Sequence, residues 1–387
     1  MAGPIPVPSP MPSQLFTPVA LRGLTLPNRV AVAPMCQYSA VDGGAGDWHL
    51  MHYGSLALGG FGHLMFEATG VQAEGRITYG CLGLYSDACE RALDRIVKFC
   101  RTHGGATTLG IQIGHAGAKA STHVKWHKNG AALGPTENPW QTVSASNVRM
   151  IAESPLPKAL DRAGMNAVRD HFVDTARRAA RIDFDLLELH GAHGYLIHQF
   201  LSPLANTRND EYGGPIANRM RFPLEIFAAV RAVWPAAKPL GIRISATDHV
   251  PGGWTLEDST VLAHELKALG CDFIDVSSGG ASTQQKIVLG PGYQVPFSAH
   301  LRRAVKIPTM SVGMIVDPHQ AEAIVAGGEA DLVELARGAL FDPRWAWHAA
   351  ETLGAEAPYP IQYARARPAL WPEAFNGLDR ATMRRRA

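Results

Sequence analysis

The stretch LHGAHGYLIHQF (Leu189–Phe200) crowds His190, His193 and Tyr195 into six residues, with His198 just behind them. A spacing of three would set the His190 and His193 rings on one face of a helical turn. Two imidazoles aimed at one point can donate two hydrogen bonds to an oxygen and stabilise negative charge developing there. Tyr195 carries a phenolic proton with an ordinary pKa of about 10. It is placed to protonate a carbon that turns basic during a reaction. The plainer alternative is that the histidines only shape a turn, for which Gly191 and Gly194 supply the bends. His198 points elsewhere on such a helix and is assigned to packing.

Other residues of unusual type stand at similar places. Arg243, in IRIS, lies between apolar neighbours, and a buried charge of that kind requires an anionic partner. The partner is either a carboxylate such as Glu188 or Glu334, or a cofactor ring that gains negative charge on reduction, as a flavin does. Gln112, in IQIGHAG, can both donate and accept at a pyrimidine-like edge. Gly313 (SVGMI) and Arg337-Gly338 (ELARGALFDP) offer close backbone approach and a guanidinium to a phosphate. No metal constellation is present: HExxH is absent, and the five cysteines Cys36, Cys81, Cys89, Cys100 and Cys271 include no CxxC pair.

The elements that must hold these residues are readable in outline. Eight short apolar runs alternate with amphipathic stretches: NRVAVAPM, GHLMFEATGV, TTLGIQIGHAG, FDLLELHGAH, PLGIRISAT, CDFIDVSSGG, IPTMSVG and DLVELARG. Between them, apolar residues recur at helical spacing in segments such as MNAVRDHFVDTARRAARI and LEDSTVLAHELKALG. Continuous apolar strands with crossover helices imply a parallel sheet, and eight such units imply a (β/α)8 TIM barrel. An open doubly wound sheet would carry a Gly-rich fingerprint after its first strand, and none is there. The expected organisation is a flexible Pro-rich arm (1–13) and one barrel domain with extended loops at its C-terminal face (14–355). A C-terminal segment (356–387) is expected at a subunit interface. Barrel active sites lie at the C-terminal strand ends. Cys36, Gln112, His115, His190, His193, Arg243 and Arg337 all fall there.

Bulk properties exclude several classes. Lys+Arg 36 against Asp+Glu 34 leaves a formal charge of +2, with no basic stripe for nucleic acid or an anionic membrane. The Met383–Arg386 ending is expected to be a solvated tail. An odd number of scattered cysteines argues against a disulfide framework and for a reducing, cytoplasmic location. The N-terminus has no basic n-region or apolar h-region, and no apolar run reaches transmembrane length.

Taken together, LFTPVALRGLTLPNRVAVAPMCQYSA, EATGV, QIGHAGAK, HGAHGYLIHQFLSPLANTRNDEYGG, NRMRF, GPGYQVPF and ELARGAL resemble the old yellow enzyme family of FMN-dependent ene reductases, over about residues 14 to 365. APMCQYS resembles its thermophilic-like, or xenobiotic-reductase-like, branch. The resemblance implies FMN across the barrel mouth, its ring against Pro34, Met35, Cys36, Ala68, Gln112 and Arg243, and its phosphate near Gly313, Arg337 and Gly338. It implies that His190 and His193 bind the carbonyl oxygen of an α,β-unsaturated substrate, while flavin N5 passes hydride to the β-carbon and Tyr195 protonates the α-carbon. Cys36 would tune the flavin, Tyr38 would face the substrate, and Lys119 would stand near the flavin or substrate mouth unless it is a solvated loop lysine. NADPH would be the transient reductant, with NADH possible. Arg365, in PIQYARAR, would reach the active site of a neighbouring subunit in a homodimer or homotetramer.

Two regions depart from the branch. Ala366-Arg367 stands where Gly-Trp is common, and THVKWHKNGAALGPTENPWQTVSAS is an atypical loop. In YGGPIANRMRF, Pro215 and Ala217 also depart, while Tyr212, Arg219 and Phe222 keep the pattern. The alternatives are a dienoyl-CoA reductase or amine dehydrogenase sibling, or a flavin-binding protein without turnover. The siblings carry iron–sulfur cysteine clusters and large C-terminal domains that are not seen here. Mere flavin binding would need no oxygen trap.

Overall fold

Eight parallel strands close into a barrel in the computed structural model, which describes residues 12–150, 154–375, 378–379 and 384–385. In chain order they are β1 (Val30–Val32), β2 (His63–Gly70), β3 (Thr108–Gly114) and β4 (Leu186–Gly191), then β5 (Leu240–Ser245), β6 (Phe273–Ser277), β7 (Thr309–Val312) and β8 (Leu332–Leu335). Each falls inside one of the eight apolar runs. Each pairs in parallel with its sequence neighbours, and β8 closes on β1 through Val333–Val30 and Leu335–Val32. The TIM barrel expected from the alternation is the observed fold.

Eight helices cover the outside: α1 (Asp47–Ala57), α2 (Asp87–His103), α3 (Arg162–Arg181), α4 (Ile216–Val233), α5 (Leu256–Ala268), α6 (Val295–Val305), α7 (Pro318–Ala326) and α8 (Trp345–Thr352). Their starts are marked by side-chain caps that satisfy otherwise orphaned amides. The Ser86 side chain accepts from the Cys89 N–H, Asp161 accepts from Gly164, and Thr255 and Asp258 cap each other reciprocally. On α3 the residues Met165, Val168, Phe172, Ala176 and Ala179 form one buried stripe at helical spacing. They join the main core between the strands and the helices. Tyr53 of α1 stacks on Phe66 of β2 at 3.7 Å between ring centroids, and Phe184 meets the same ring edge-on at 5.1 Å.

The barrel interior is graded along its axis. At its N-terminal end, Met65, Leu186, Phe273, Met310 and Leu332 form an apolar floor. Leu21 and Leu26 plug it from below, on a hairpin of Val19–Leu21 and Leu24–Leu26. Side chains alternate with period two, so the residues two positions further on share the same face of the strand. On β4, β6 and β8 those residues are Glu188, Asp275 and Glu334, all fully buried. The barrel is therefore oily below and charged above.

Only residues 12 and 13 of the expected N-terminal arm lie among the described residues. There the Ser13 hydroxyl, the Gln14 N–H and the Leu15 N–H all donate to Glu322, at 2.6, 2.8 and 3.0 Å. The C-terminal segment continues as short 3-10 turns, Ile361–Ala366, Pro368–Leu370 and Pro372–Phe375. It is held by Trp347, whose ring packs on Tyr359 at 4.5 Å and Tyr363 at 6.2 Å. The solvated-tail expectation is modified in one respect. Arg384–Arg385 pair antiparallel with Leu378–Asp379, while Met383 and Arg386 lie outside the described residues.

Phe172 is fully buried at the centre of the α3 stripe. Phe172→Ala is expected to cost about 3–5 kcal/mol through lost transfer energy and an unfilled cavity. The urea midpoint, compared with that of the parent chain, measures it.

Candidate active site

The His190–Tyr195 segment is a tight reversal rather than the helical turn that its spacing suggested. His190 is the last residue but one of β4, opposite Arg243 of β5. Gly191 follows because a Cβ there would meet Ile242 Cδ1 at 2.9 Å and the Arg243 carbonyl at 3.0 Å. His193 and Gly194 both take the left-handed conformation, at φ 57° and 71°. The strained turn still brings the rings together, with centroids 5.2 Å apart for His190–His193 and 4.8 Å for His190–Tyr195. Tyr195 then caps a short helix, Leu196–Leu201.

Hydrogen bonds settle what the rings can donate. His190 Nδ1 accepts from the Ala192 N–H at 3.2 Å, so neutral His190 carries its proton on Nε2. His193 Nε2 lies 2.7 Å from Ser277 Oγ, and the His193 N–H donates to Ser245 Oγ at 3.0 Å. Ser277 has two acceptors in reach, and His193 is nearer than Gln294 Oε1 at 3.2 Å. With the Ser277 hydroxyl turned to Nε2 the His193 proton is on Nδ1; with it turned to Gln294, His193 donates from Nε2. Burial, reinforced by the Arg243 charge, pushes both imidazoles well below the ordinary histidine range. Both are thus neutral donors. Burial also raises the Tyr195 phenol far above its ordinary value, helped by Cys36 and Cys81, so the proton stays on oxygen.

His198 does more than pack. Its Nδ1 accepts from the Gly194 N–H at 2.8 Å, and its Nε2 stands 3.0 Å from Asp248 Oδ1, which pins the reversal from behind. Lys119 is not a solvated loop lysine. Its Nζ donates to the His193 and Gly280 carbonyls at 2.8 and 3.1 Å and sits 5.2 Å from the Tyr195 ring centroid. Burial, with Lys125, lowers its pKa to about 8.

The strand-end loop Pro34–Tyr38 reaches the same region, and all five residues are partly buried. Burial raises the Cys36 thiol well above its ordinary value, with Cys81 and Glu67 adding to it, so Cys36 is a thiol rather than a thiolate nucleophile. Tyr38, at φ 49°, presents its ring to Trp126 of the atypical loop, edge-on at 5.7 Å. The loop is anchored by Glu67, a residue the sequence reading passed over. Its carboxyl group accepts from the Gln37 N–H at 2.9 Å and from the Tyr53 hydroxyl at 3.0 Å. Ala68, beside it, lines a recess shared with His115, His190 and Tyr195.

Next to this recess opens a cavity of about 870 Å³, walled by Arg243, Ser277, Gly313, Glu334, Arg337 and Gly338, among others. Ser277, on its wall, is also the partner of His193, so the histidine pair borders the cavity. Arg243 is paired, but not as expected: Nε lies 2.8 Å from Asp275 Oδ2. Glu188 instead accepts from Gln112 Nε2 at 2.7 Å. Asp275 carried the same signal as Arg243, an ionisable residue inside an unbroken apolar strand. Arg365 is exposed on its 3-10 turn and lines neither space. No cluster of metal-ligating side chains occurs among the described residues. No helix among them is long and apolar enough to cross a membrane.

Comparison with known proteins places this geometry. The model of the NADH:flavin oxidoreductase / NADH oxidase family matches residues 14–356. The chain belongs to that family. An NADPH dehydrogenase of Geobacillus thermodenitrificans is 42% identical over 357 residues, which is 92% of this chain and 99% of the relative. An NADPH dehydrogenase of Listeria innocua is 42% identical over 356 residues, with the same coverage. Among solved structures, morphinone reductase superposes with a TM-score of 0.74 at 27% identity, over 89% of this chain and 91% of that one. Likeness to a 2-naphthoyl-CoA reductase, with a TM-score of 0.78 at 22% identity, is one of fold and covers 52% of that chain.

As an old yellow enzyme family member, the chain is a flavin oxidoreductase with FMN as cofactor and NAD(P)H as reductant. Its own residues fit that group. Gly313 stands at φ 133°, where a Cβ would crowd Tyr293 at 3.0 Å and Gln294 at 3.1 Å. Arg337 has no ion-pair partner among the described residues and faces the same wall, as a phosphate would require. Arg243 supplies a fixed positive charge at the floor.

Burial raises the Glu67 carboxyl from 4.5 to about 8, against hydrogen bonds from Gln37 and Tyr53. Between those values the folded chain holds a proton that the unfolded chain has lost, so stability falls as pH rises through this window. Glu67→Gln removes that contribution. The stability gap between parent and variant is expected to shift against the parent by a few kcal/mol between pH ~5 and ~8. Urea midpoints across that range measure it.

Proposed function

We propose that this chain is an NADPH-dependent ene reductase acting on the activated C=C bond of α,β-unsaturated carbonyl compounds and their relatives: enones, enals, maleimides and nitroalkenes. The observation that carries the reading is the convergence of two neutral imidazoles and one neutral phenol beside the flavin cavity. When bound, FMN supplies the hydride, from N5 to the substrate β-carbon. His190 donates from Nε2 to the carbonyl oxygen, and His193 donates beside it. Because neither ring is charged, the pair binds oxygen without competing with Arg243 for the cofactor's negative charge. As charge builds on that oxygen, these preset dipoles favour the developing enolate over the ketone. Tyr195, which holds its proton, gives it to the α-carbon.

Around this centre, Cys36 as a neutral thiol shapes the flavin's edge, and Tyr38 with Trp126 borders the substrate mouth. Pro34, Met35, Ala68, Gln112 and Arg243 hold the ring, while Gly313, Arg337 and Gly338 hold the phosphate. The NADPH dehydrogenase names of the relatives support NADPH over NADH. An exposed Arg365 on an aromatic-packed segment suits a role in a neighbouring copy's mouth, within a homodimer or homotetramer. Five free cysteines suit the cytoplasm.

The test is the anaerobic half-reaction. NADPH is expected to bleach the yellow holoenzyme, and cyclohexenone to restore the colour; a reduced enzyme that no enone reoxidises would overturn the reading. Tyr195→Phe is expected to slow reoxidation by about 10²–10⁴-fold with little change in flavin reduction by NADPH. Phenols are expected to give a long-wavelength charge-transfer band, and His190→Ala to weaken phenol binding about tenfold, the worth of one hydrogen bond. An unchanged band and affinity would remove His190 from the oxygen site.

A further inference from the structure

The charged layer inside the barrel presents an imbalance that the reaction above does not use. Four alternate strands each put an apolar residue in the floor and a carboxyl group two residues later. Glu67 of β2 turns to Gln37 and Tyr53, which leaves three facing Arg243: Glu188 after Leu186 on β4, Asp275 after Phe273 on β6 and Glu334 after Leu332 on β8. In a closed barrel, alternate strands contribute side chains to one layer. All three carboxyl groups are at most 1% exposed. Among the described residues the one cation facing them is Arg243 of β5, whose guanidinium reaches Asp275. Gln112 of β3 adds only a neutral donor, to Glu188. Ionised throughout, the layer would carry a net charge of −2 in a place water does not reach, which is far too costly to persist.

Protons must therefore be held there, and the contacts say where. Asp275 meets Arg243 at 2.8 Å and Glu188 accepts from Gln112, whereas Glu334 shares their layer with no ion pair among the described residues, so it is the carboxyl group least able to stay ionised. Apart from the ion pair of Asp275 with Arg243, no oxygen of Asp275 or Glu334 has a hydrogen-bond partner among the described residues. Burial and the neighbouring carboxyl groups push Glu188 and Glu334 well above the ordinary carboxylate range, and burial raises Asp275 as well. With two protons aboard, the layer is neutral: one carboxylate against Arg243.

Both Glu334 and Arg243 also line the flavin cavity. The other charged or titratable groups around Arg243 are Tyr293 and, through its field, the neutral pair His190 and His193. Arg337 stands farther along the same wall, beside Tyr293. None of them offers the carboxyl pair a further positive charge at close range. An electron pair entering the cavity is thus met by a neutral layer that has room for one more proton.

We propose that the Asp275–Glu334 pair is a redox-linked proton site: it binds one further proton from solvent when the cofactor above it takes up two electrons, and releases it on reoxidation. The two electrons come from NADPH, or from dithionite in a titration, and the proton returns to solvent, so a full turnover consumes none at this site. The pair does not touch substrate. It acts through charge, as a positioning element for the flavin's potential rather than a catalytic residue. The inference rests on FMN filling the cavity, and stands whether or not an enone is the substrate.

The experiment uses the FMN-loaded protein, with cofactor content checked by absorbance, and dithionite as the reductant. The midpoint potential is followed against pH in the parent and in Glu334→Gln. Over the pH range where the pair titrates, the parent is expected to take up one more proton per two electrons than the variant. In parallel, the reduced-minus-oxidised infrared difference spectrum of the parent should show a protonated carboxyl band appearing on reduction. That band should be missing in Glu334→Gln and retained in Glu67→Gln. Equal proton numbers, with no carboxyl band in the parent, would overturn the proposal. So would a band that vanishes only in Glu67→Gln. Should Glu334→Gln fail to fold, the parent's infrared spectrum and an Asp275→Asn variant decide the same question. Loss of enone reoxidation with this proton count intact would instead count against the substrate reading alone.

Discussion

A guanidinium inside a barrel of apolar strands is the constraint around which this protein is arranged. Arg243 cannot be left uncompensated in that setting. Its nearest answer is Asp275, 2.8 Å away on the adjacent strand, with Glu188 and Glu334 in the same layer. Because the layer below is wholly apolar and plugged by the N-terminal hairpin, the charge can be answered only from its own level or from above. The cavity lies above. That asymmetry, oily floor and charged ceiling, gives the barrel a single end at which an electron-accepting ring gains by binding.

The same charge reaches the histidine pair. Desolvation and Arg243 act in one direction on His190 and His193, and both stay neutral. A neutral imidazole donates through whichever nitrogen its neighbours leave protonated. Here the backbone of Ala192 decides for His190 and the hydroxyl of Ser277 decides for His193. The turn that aims them is strained at His193. It is held by His198 from behind and by Lys119, which ties the His193 carbonyl to that of Gly280. The two rings are thus carried on a backbone locked from two sides, which keeps the geometry from relaxing.

Much of this was open to a reader of the residues. The eight apolar runs are the eight strands, because parallel strands buried on both faces need continuous hydrophobic sequence. Arg243 announced a buried charge by its neighbours. By the same reasoning Asp275 and Glu67 could have been singled out, each an acidic residue inside an apolar run. They were missed because their partners come from other elements: Arg243 of β5 for Asp275, and Gln37 and Tyr53 for Glu67. Ser277 gave no signal, since a serine at a strand end is ordinary until a histidine is found beside it. His198 was misjudged because its partners, Gly194 and Asp248, meet it only through the reversal.

Residue type and period belong to the chain itself. They determined a parallel barrel, the end at which its unusual polar residues collect, and the gathering there of three rings, His190, His193 and Tyr195. Tertiary structure decided which groups face one another. It made a left-handed reversal of a segment that spacing alone would wind into a helix, and it chose Asp275 over Glu188 and Glu334 as the partner of Arg243. It also set the carboxyl groups of β4, β6 and β8 in one buried layer of the barrel. The reason is that burial acts on side chains one at a time, whereas charge and hydrogen bonding act between pairs. The closing of the barrel brings those pairs together from strands far apart in the chain.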